Sequence, residues 1–142
     1  MAIEQLSIFV ENKKGRLAKI TELLAKSGVD IRALSIADTT DYGILRLIVD
    51  APEKACLALK QANVTVSVTP VLGVSVSDTP GAFARVTRLM ADYDVEIEYA
   101  YAFITPAKGE AYVILRVDDI DRTKQVLCAA DVKIITQEDI FG

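Results

Sequence analysis

Apolar residues recur with two different periods along the chain. Short, loosely alternating apolar runs predict strands, for example Gln5–Val10 and the β-branched run Val71–Val76. Leu17, Ile20 and Leu24 recur at helical spacing, with charged residues between them, and predict one buried face of a helix. The alternation of the two periods indicates a mixed α+β chain rather than an all-helical or all-strand one.

In the first half, the predicted helix runs from Lys14 to Ser27, and Gly28 is its predicted C-terminal cap. Pro70 is expected to stop the last strand because proline cannot donate to a central ladder. The other predicted elements are a strand over Ile31–Asp38, a turn over Thr39–Gly43, a strand over Ile44–Val49, a helix opened by Pro52, and a strand over Val64–Val68. This order is that of the split βαβ, or ferredoxin-like, unit.

The second half repeats the same order of elements. Gly15–Ala25 aligns with Gly81–Ala91 at an offset of 66 residues, and beyond the central hairpin the offset is 68, so that Leu59 aligns with Leu127. The predicted elements are strands over Val71–Val76, Glu96–Ile104, Ala111–Val117 and Val132–Thr136, and helices over Gly81–Asp92 and Ile120–Ala129, before a short tail. The sequence therefore predicts two ferredoxin-like βαββαβ units, residues 1–70 and 71–142, each an antiparallel sheet with helices on one face.

Each half carries a glycine where its first strand gives way to its first helix. In the second half, Asp78 or Thr79 is expected to cap the helix, and Pro80 suits the first turn. Gly81 has no Cβ, so a ligand can approach the backbone closely. Free N–H groups and the helix dipole at such a start favour an anion such as a carboxylate. An ordinary capped strand-to-helix turn is the alternative.

The predicted strands are apolar on both faces. Leu45 and Leu47 alternate with Ile44 and Ile48 in the first half. A one-sided sheet is expected to be polar on its solvent face. We therefore expect the second face to be covered by the other repeat or by a second chain, and we predict a homodimer. In the second half the aromatic residues form a row of period two, which consists of Tyr99, Tyr101 and Phe103.

Composition narrows the possible functions. The chain has 142 residues and a net charge of −4, which disfavours nucleic-acid binding. It has no histidine, so the commonest general base and the commonest zinc ligand are both missing. No apolar run is long enough to span a membrane, and the first residues do not form a signal peptide. Cys56 and Cys128 lack metal-binding spacing, so free thiols and a cytoplasmic location are expected.

These residues resemble the ACT-domain family, in tandem. Asp78-Thr79-Pro80-Gly81-Ala82-Phe83 is similar to that family's first-loop pattern, and Asn12-Lys13-Lys14-Gly15-Arg16-Leu17 is a looser match without the proline. Val29-Asp30-Ile31 and Val95-Glu96-Ile97 resemble the family's entry to its second strand. The doubled arrangement, which covers about residues 3–140, is more specific than either motif.

The resemblance implies a stand-alone regulatory module that is not an enzyme and has no cofactor. It implies that an amino acid binds between units, and that a separate metabolic enzyme or regulator responds. The ligand carboxylate would meet backbone N–H groups, Asp78 or Asn12 would orient the ammonium or the loop, and the second strand of the neighbouring unit would close the site. The implied site residues are Asn12, Lys14, Gly15, Arg16, Leu17, Ile31, Ala33, Asp78, Pro80, Gly81, Ala82, Phe83, Ile97 and Tyr99.

Several alternatives remain at this stage. The chain can be a structural or protein-interaction module of the same fold that binds no ligand. Asp118, Asp119 and Asp121 precede a helix, where capping explains them better than a metal site. The lysine and arginine residues near Gly15 are read as a solvated face, with pairing of Arg16 to a ligand carboxylate as the alternative. The aromatic row is read as packing against another sheet rather than as base stacking.

Overall fold

In the computed structural model, which describes residues 2–38, 41–103 and 109–141, most of the predicted apolar stripes form the buried sides of helices and strands. Leu17, predicted to lie on the buried face of its helix with Ile20 and Leu24, is instead 41% exposed. The elements are β1 (Ile3–Glu11), α1 (Arg16–Lys26), β2 (Ile31–Asp38), β3 (Tyr42–Val49), α2 (Pro52–Gln61), β4 (Val66–Ser77), α3 (Ala82–Asp92), β5 (Ile97–Ala102), β6 (Glu110–Val117), α4 (Ile120–Ala129), β7 (Lys133–Ile135) and α5 (Gln137–Phe141). They form two compact units. The first comprises residues 4–69, and the second comprises Pro70 onward with residues 2–3.

The first unit is a sheet of strand order β2-β3-β1-β4 with α1 and α2 on one face. β3 lies antiparallel to both of its neighbours, so that Leu47 is opposite Leu6 on β1 and Leu34 on β2. The side chains that α1 and α2 bury against this sheet form one apolar cluster, which consists of Leu6, Ile8, Ile20, Leu24, Val29, Leu45, Leu47, Val49, Ala55 and Leu59.

The second unit has the equivalent strand order, β5-β6-β4-β7. β6 lies antiparallel to both β4 and β5, with Leu115 opposite Leu72 on β4 and Ala100 on β5. Its core repeats the first core at nine aligned positions and consists of Leu72, Val74, Val86, Met90, Val95, Val113, Leu115, Val117 and Leu127. The exception is Ala55, which aligns with the buried Thr123. The predicted α+β class, with ferredoxin-like units and antiparallel sheets, is confirmed.

The prediction that Pro70 ends a strand is wrong. β4 is one strand of 12 residues that continues through Pro70, with its first part in the first unit and its second part in the second. Proline fixes φ near −65°, which an extended chain accepts, and its missing N–H matters only where a ladder needs that donor. The carbonyl of Pro70 still accepts a hydrogen bond from the Arg116 guanidinium at 2.7 Å.

Other boundaries differ from the sequence prediction by a few residues. Gly28 follows α1 with φ +74°, as a C-terminal glycine should, and its N–H donates to the carbonyl of Ala25. The predicted tail forms the short helix α5. Of the turn predicted over Thr39–Gly43, Thr39 and Thr40 lie outside the described residues, and Tyr42 and Gly43 belong to β3. Ile104, the predicted end of a strand, and residues 105–108 of the turn predicted over Thr105–Gly109 also lie outside the described residues. Within the described ranges, no helix has the length and apolar character needed to cross a membrane.

Candidate functional site

The turn between β1 and α1 is built around a glycine with left-handed backbone geometry. Gly15 has φ +85° and is the N-cap residue of α1. The N–H of Lys13 donates to the carbonyl of Glu11 at 2.8 Å, and the N–H of Arg16 donates to the carbonyl of Lys13 at 3.2 Å. The first bond of the helix follows, from the N–H of Lys19 to the carbonyl of Gly15 at 3.0 Å.

The turn between β4 and α3 has the same backbone. Gly81 is the N-cap residue of α3 and also has φ +85°. The N–H of Thr79 donates to the carbonyl of Ser77 at 2.9 Å, and the N–H of Ala82 donates to the carbonyl of Thr79 at 3.2 Å. The N–H of Arg85 then donates to the carbonyl of Gly81 at 3.2 Å. Every bond of the first turn therefore has a counterpart here.

Each turn is tied to the beginning of the third strand of its unit. The N–H of Asn12 donates to the carbonyl of Asp41, and the N–H of Asp78 donates to the carbonyl of Gly109, both at 3.1 Å. These bonds place each glycine turn at the end of the sheet where β3 or β6 starts.

The predicted helix caps of α3 are wrong. The helix begins at Ala82, and neither Asp78 nor Thr79 caps it, because Gly81 occupies the N-cap position and no side chain accepts a hydrogen bond there. Pro80 lies in the turn before Gly81 rather than in the first turn of the helix. The positive φ of the glycine reverses the chain, so no side-chain cap is needed to start the helix.

The starts of α1 and α3 present backbone donors to open space. Among the described residues, no backbone carbonyl accepts from the second and third N–H groups of either helix, which belong to Leu17, Ala18, Phe83 and Ala84. A Cβ placed on Gly15 or Gly81 would have no heavy atom within 4 Å apart from those of adjoining residues. The geometry leaves room for an anion beside these donors.

The side chains of the first turn form an ion cluster. The Glu11 carboxylate lies 3.1 Å from the ammonium of Lys13 and 3.6 Å from the guanidinium of Arg16. The hydrogen bond from Lys13 and the positive charges of Lys13 and Arg16 hold the pKa of Glu11 below its usual value. Asn12 and Lys14 are exposed beside this cluster.

The side chains of the second turn are arranged differently. The Asp78 carboxylate is exposed and has no hydrogen bond or ion pair with any described residue. The hydroxyl of Thr79 donates to that of Ser77 at 3.3 Å. The second turn therefore presents a carboxylate that is available to a ligand cation, whereas the first presents cations held by a carboxylate.

The predicted second-strand residues do not lie near the turn of their own unit. Ile31 is opposite Val49, at the far end of β3 from Tyr42, which is opposite Glu11. Seven residues of strand separate these two positions on β3, roughly 23 Å at about 3.3 Å per residue. Ile97 and Val117 have the same relation in the second unit. The glycine turn and these second-strand residues of one unit are therefore too far apart to contact the same small ligand.

The remaining predicted site residues divide by burial. Ala33 is completely buried and Ala82 is 5% exposed, so neither offers a side chain to a ligand. Ile31, Ile97 and Phe83 pack against the core of their own unit, and Tyr99 stacks on Tyr101 with ring centroids 6.4 Å apart. The residues that stay accessible around the turns are Asn12, Lys14, Gly15, Arg16, Leu17, Asp78, Pro80 and Gly81.

The acidic group before α4 caps a helix, as predicted. The Asp119 carboxylate accepts a hydrogen bond from the N–H of Arg122 at 3.1 Å. Within the part of the chain that the structure describes, no group of three or more acidic, histidine or cysteine residues is arranged to hold a metal. Cys56 and Cys128 are free thiols on helices, and burial raises the pKa of Cys56.

The comparisons with known proteins agree with this architecture. A crystal structure of a protein from Bacteroides thetaiotaomicron is 40% identical in sequence, with a TM-score of 0.93, and the match covers 99% of this chain and 96% of that one. The ligand-free regulatory subunit of aspartate kinase from Thermus thermophilus is similar at 17% identity and a TM-score of 0.64, covering 91% and 92%. Its counterpart from Thermus flavus is similar at 16% sequence identity and a TM-score of 0.65, and the match covers 92% of each chain. No curated protein sequence matches.

The two aspartate kinase subunits share the fold, and at this level of identity they show nothing further. The sequence itself matches the family model described as "ACT domain pair" over residues 1–142. The two glycine turns, the repeated strand order and this match lead to the same conclusion, which confirms the resemblance seen in the sequence: the chain belongs to the ACT domain pair family.

Proposed function

We propose that this chain is a regulatory module that binds an amino acid at one or both glycine turns and controls a separate enzyme or regulator of amino-acid metabolism. The observation that carries the proposal is the repeated turn. Both copies hold φ at +85°, leave helix-start N–H groups without backbone acceptors and keep the space beside the glycine open. A carboxylate is the ligand group that such a cluster of donors favours.

The ligand ammonium would be bound by the second turn in preference to the first. The Asp78 carboxylate is exposed and unpaired among the described residues. The matching residue of the first turn is the neutral Asn12, and the nearby Glu11 is already engaged by Lys13 and Arg16. A zwitterionic ligand needs both an anion site and a cation site, and the second turn has both.

A neighbouring unit would close the site, because the second strand of each unit lies too far from its own turn. On this proposal Ile31 and Ala33, or Ile97 and Tyr99, belong to that neighbour, which is the other unit or a second copy of the chain. We propose a homodimer. Its support is the edge strand β2, where Leu34 is 43% exposed and Ile36 is 47% exposed.

A catalytic role is not part of the proposal. Histidine is absent from the whole sequence. The turns offer N–H donors, the ion-paired Glu11 and the unpaired carboxylate of Asp78 rather than an acid–base pair. Two solved structures with this fold are named as regulatory subunits of aspartate kinase. By analogy, this chain would act on a separate cytoplasmic protein by binding to it rather than by transforming a substrate.

The test is calorimetric titration of the full-length chain with each of the twenty amino acids. At a ligand concentration of 100 times the dissociation constant, the bound ligand should stabilise the chain by about 2.7 kcal/mol in a parallel thermal shift. Replacing Asp78 by Ala should weaken binding by about 1–3 kcal/mol because a charged hydrogen bond is lost. Asn12→Ala should weaken it less.

Asp121→Ala is the matched control, since this exposed carboxylate lies in the first turn of α4, after the far end of β6. It should bind like the wild type. Unchanged affinity in Asp78→Ala would place the ligand elsewhere. Binding of none of the twenty amino acids would overturn the proposal and leave an interaction module of the same fold.

A further inference from the structure

The second strand of each unit carries a β-bulge at the same position. In β2 the pairing with β3 changes register between Ile31 and Ala33, and in β5 the pairing with β6 changes register between Ile97 and Tyr99. Bulges are common beside functional sites because they redirect the side chains that follow them. In both units the bulge lies between the two second-strand residues that we propose contact a ligand.

The residues that follow the two bulges differ. Ala33 in the first unit is completely buried, whereas Tyr99 in the second unit is partly exposed. A tyrosine side chain has an aromatic ring and a hydroxyl that a ligand can contact, and an alanine side chain has neither. Of these two strands, β5 is therefore the better candidate to contact a ligand beyond its bulge.

One arginine ties the bulge of β5 across the sheet. Arg116 lies opposite Tyr99 on β6. Its Nε lies 3.5 Å from the carboxylate of Glu98, the residue at the bulge, and its Nη1 donates to the carbonyl of Pro70 at 2.7 Å. Pro70 belongs to β4. The planar guanidinium can make both contacts at once, so it links the bulge of β5 to β4 across β6.

The first unit fixes its second strand in another way. The residue aligned with Arg116 is Ile48, which is completely buried. The Nε of Arg32, at the bulge of β2, lies 3.5 Å from the carboxylate of Asp30 and has no hydrogen bond with any described residue. The link to the end of β3 comes before the bulge, where the N–H of Asp30 donates to the Asp50 carboxylate at 2.9 Å. The fold therefore does not require an arginine at the position of Arg116.

We propose that Arg116 is a positioning residue that holds the bulge of β5 in place, so that Tyr99 contacts a ligand bound at a neighbouring glycine turn. This inference rests on the function proposed above, and it assigns the closing strand of the site to β5 rather than β2. Arg116 does not touch the ligand and acts through Tyr99. The Glu98 side chain is 48% exposed, so the ion pair alone contributes little, and the constraint comes from its combination with the hydrogen bond to Pro70.

The experiment is a double-variant cycle on the full-length chain with Arg116→Ile, Tyr99→Ala and the two combined. Isoleucine is the residue of the first unit and suits a strand. Each protein is titrated calorimetrically with each of the twenty amino acids. Arg116→Ile should weaken binding about tenfold, the order expected for loss of a charged hydrogen bond. In the Tyr99→Ala background the same change should weaken binding no further, because the arginine acts through the tyrosine.

Two single variants complete the design. Arg116→Lys keeps the positive charge and should recover part of the lost affinity. Arg88→Met is the matched control, because it removes an exposed guanidinium and its 2.9 Å ion pair with Asp92 on α3. It should bind like the wild type. Urea denaturation of every variant shows separately how much of any change comes from lost stability.

The possible results distinguish this inference from the function on which it rests. If the wild type binds an amino acid and Arg116→Ile binds it equally well, the role of Arg116 is overturned and the proposed function stands. Equal weakening by Arg116→Ile with and without Tyr99, or no recovery in Arg116→Lys, would also overturn it, because either result indicates a general structural effect. If the wild type binds none of the twenty amino acids, the proposed function itself is overturned.

Discussion

The two glycine turns have one backbone and two sets of side chains. Gly15 and Gly81 share φ of +85°, and the hydrogen bonds around them match pair by pair. Around Gly15, Glu11 holds cations in an ion cluster, whereas around Gly81 the carboxylate of Asp78 is unpaired among the described residues. The two repeats therefore share the positions that fix the chain direction and differ at the positions that we propose contact a ligand.

The largest expected effect tests whether the two cores contribute equally to the free energy of unfolding, as the matching backbones of the two turns suggest. Leu59 and Leu127 are aligned, and both are completely buried. Leu59→Ala and Leu127→Ala should each lower the free energy of unfolding by about 2–5 kcal/mol, because each leaves a cavity in one core. Urea denaturation measures the loss, and amide hydrogen exchange shows which residues lose protection.

Protection should fall chiefly within residues 4–69 for Leu59→Ala and from Pro70 onward for Leu127→Ala. The volume-conserving variants Leu59→Met and Leu127→Met serve as controls and should cost less than about 1.5 kcal/mol. A loss spread evenly over the chain in both alanine variants would contradict two separate cores.

A smaller effect is expected at the turns themselves. Gly15→Ala and Gly81→Ala should each cost about 1–2 kcal/mol, because an L-residue resists a left-handed backbone. The cost should be equal at the two sites, since φ is identical and neither new Cβ meets a neighbour within 4 Å beyond the adjoining residues. Chemical denaturation of the two variants side by side makes the measurement.

Asparagine tolerates a left-handed backbone, so Gly15→Asn and Gly81→Asn should recover part of the loss. If the alanine variant lost stability at only one of the two turns, the two turns would differ in backbone strain despite their equal φ angles. Because φ itself demands glycine, a bulky residue such as valine at position 81 would perturb the backbone as well as any ligand, and the side chain of Asp78 is the cleaner probe of binding.

The local features of the fold could be predicted from the sequence. The bounds of β2 at Ile31–Asp38 and of α4 at Ile120–Ala129 agree with the predicted ones, and Pro52 occupies the first position of α2. These elements are fixed by apolar period and by residues within the element itself. The order of the elements was predicted from the repeat, because the same order of strands and helices occurs in both halves of the sequence.

The errors arose where a neighbouring residue or a distant strand decides the local structure. Asp78 and Thr79 have the right chemistry for caps, but the positive φ of Gly81 already turns the chain into α3. Pro70 has the right chemistry to end a strand, but β4 continues through it. The Pro70 carbonyl accepts a hydrogen bond from Arg116, and Leu72 pairs with Leu115 on β6. Residue type alone could not resolve these competitions.

The smallest expected effect concerns a third pair of positions, the ends of α1 and α3. Gly28 has φ +74° and the aligned Asp94 has φ +56°, so the second unit places an aspartate where the first has a glycine. Asp94→Gly should stabilise the chain by about 0.5–1 kcal/mol by relieving the left-handed strain. Gly28→Asp should destabilise it by about 1 kcal/mol, softened by the ammonium of Lys54, which would lie 3.2 Å from the new Cβ.

The double variant Gly28→Asp/Asp94→Gly exchanges the two helix ends and should unfold close to the wild-type urea midpoint with an unchanged m-value, because distant substitutions add. If both single variants changed the free energy of unfolding in the same direction, Asp94 would contribute through its carboxylate and would not simply be tolerated in a left-handed backbone. The strain at this position would then be offset by a contact that the first unit does not need, and the equivalence of the two backbones would end at the glycine turns.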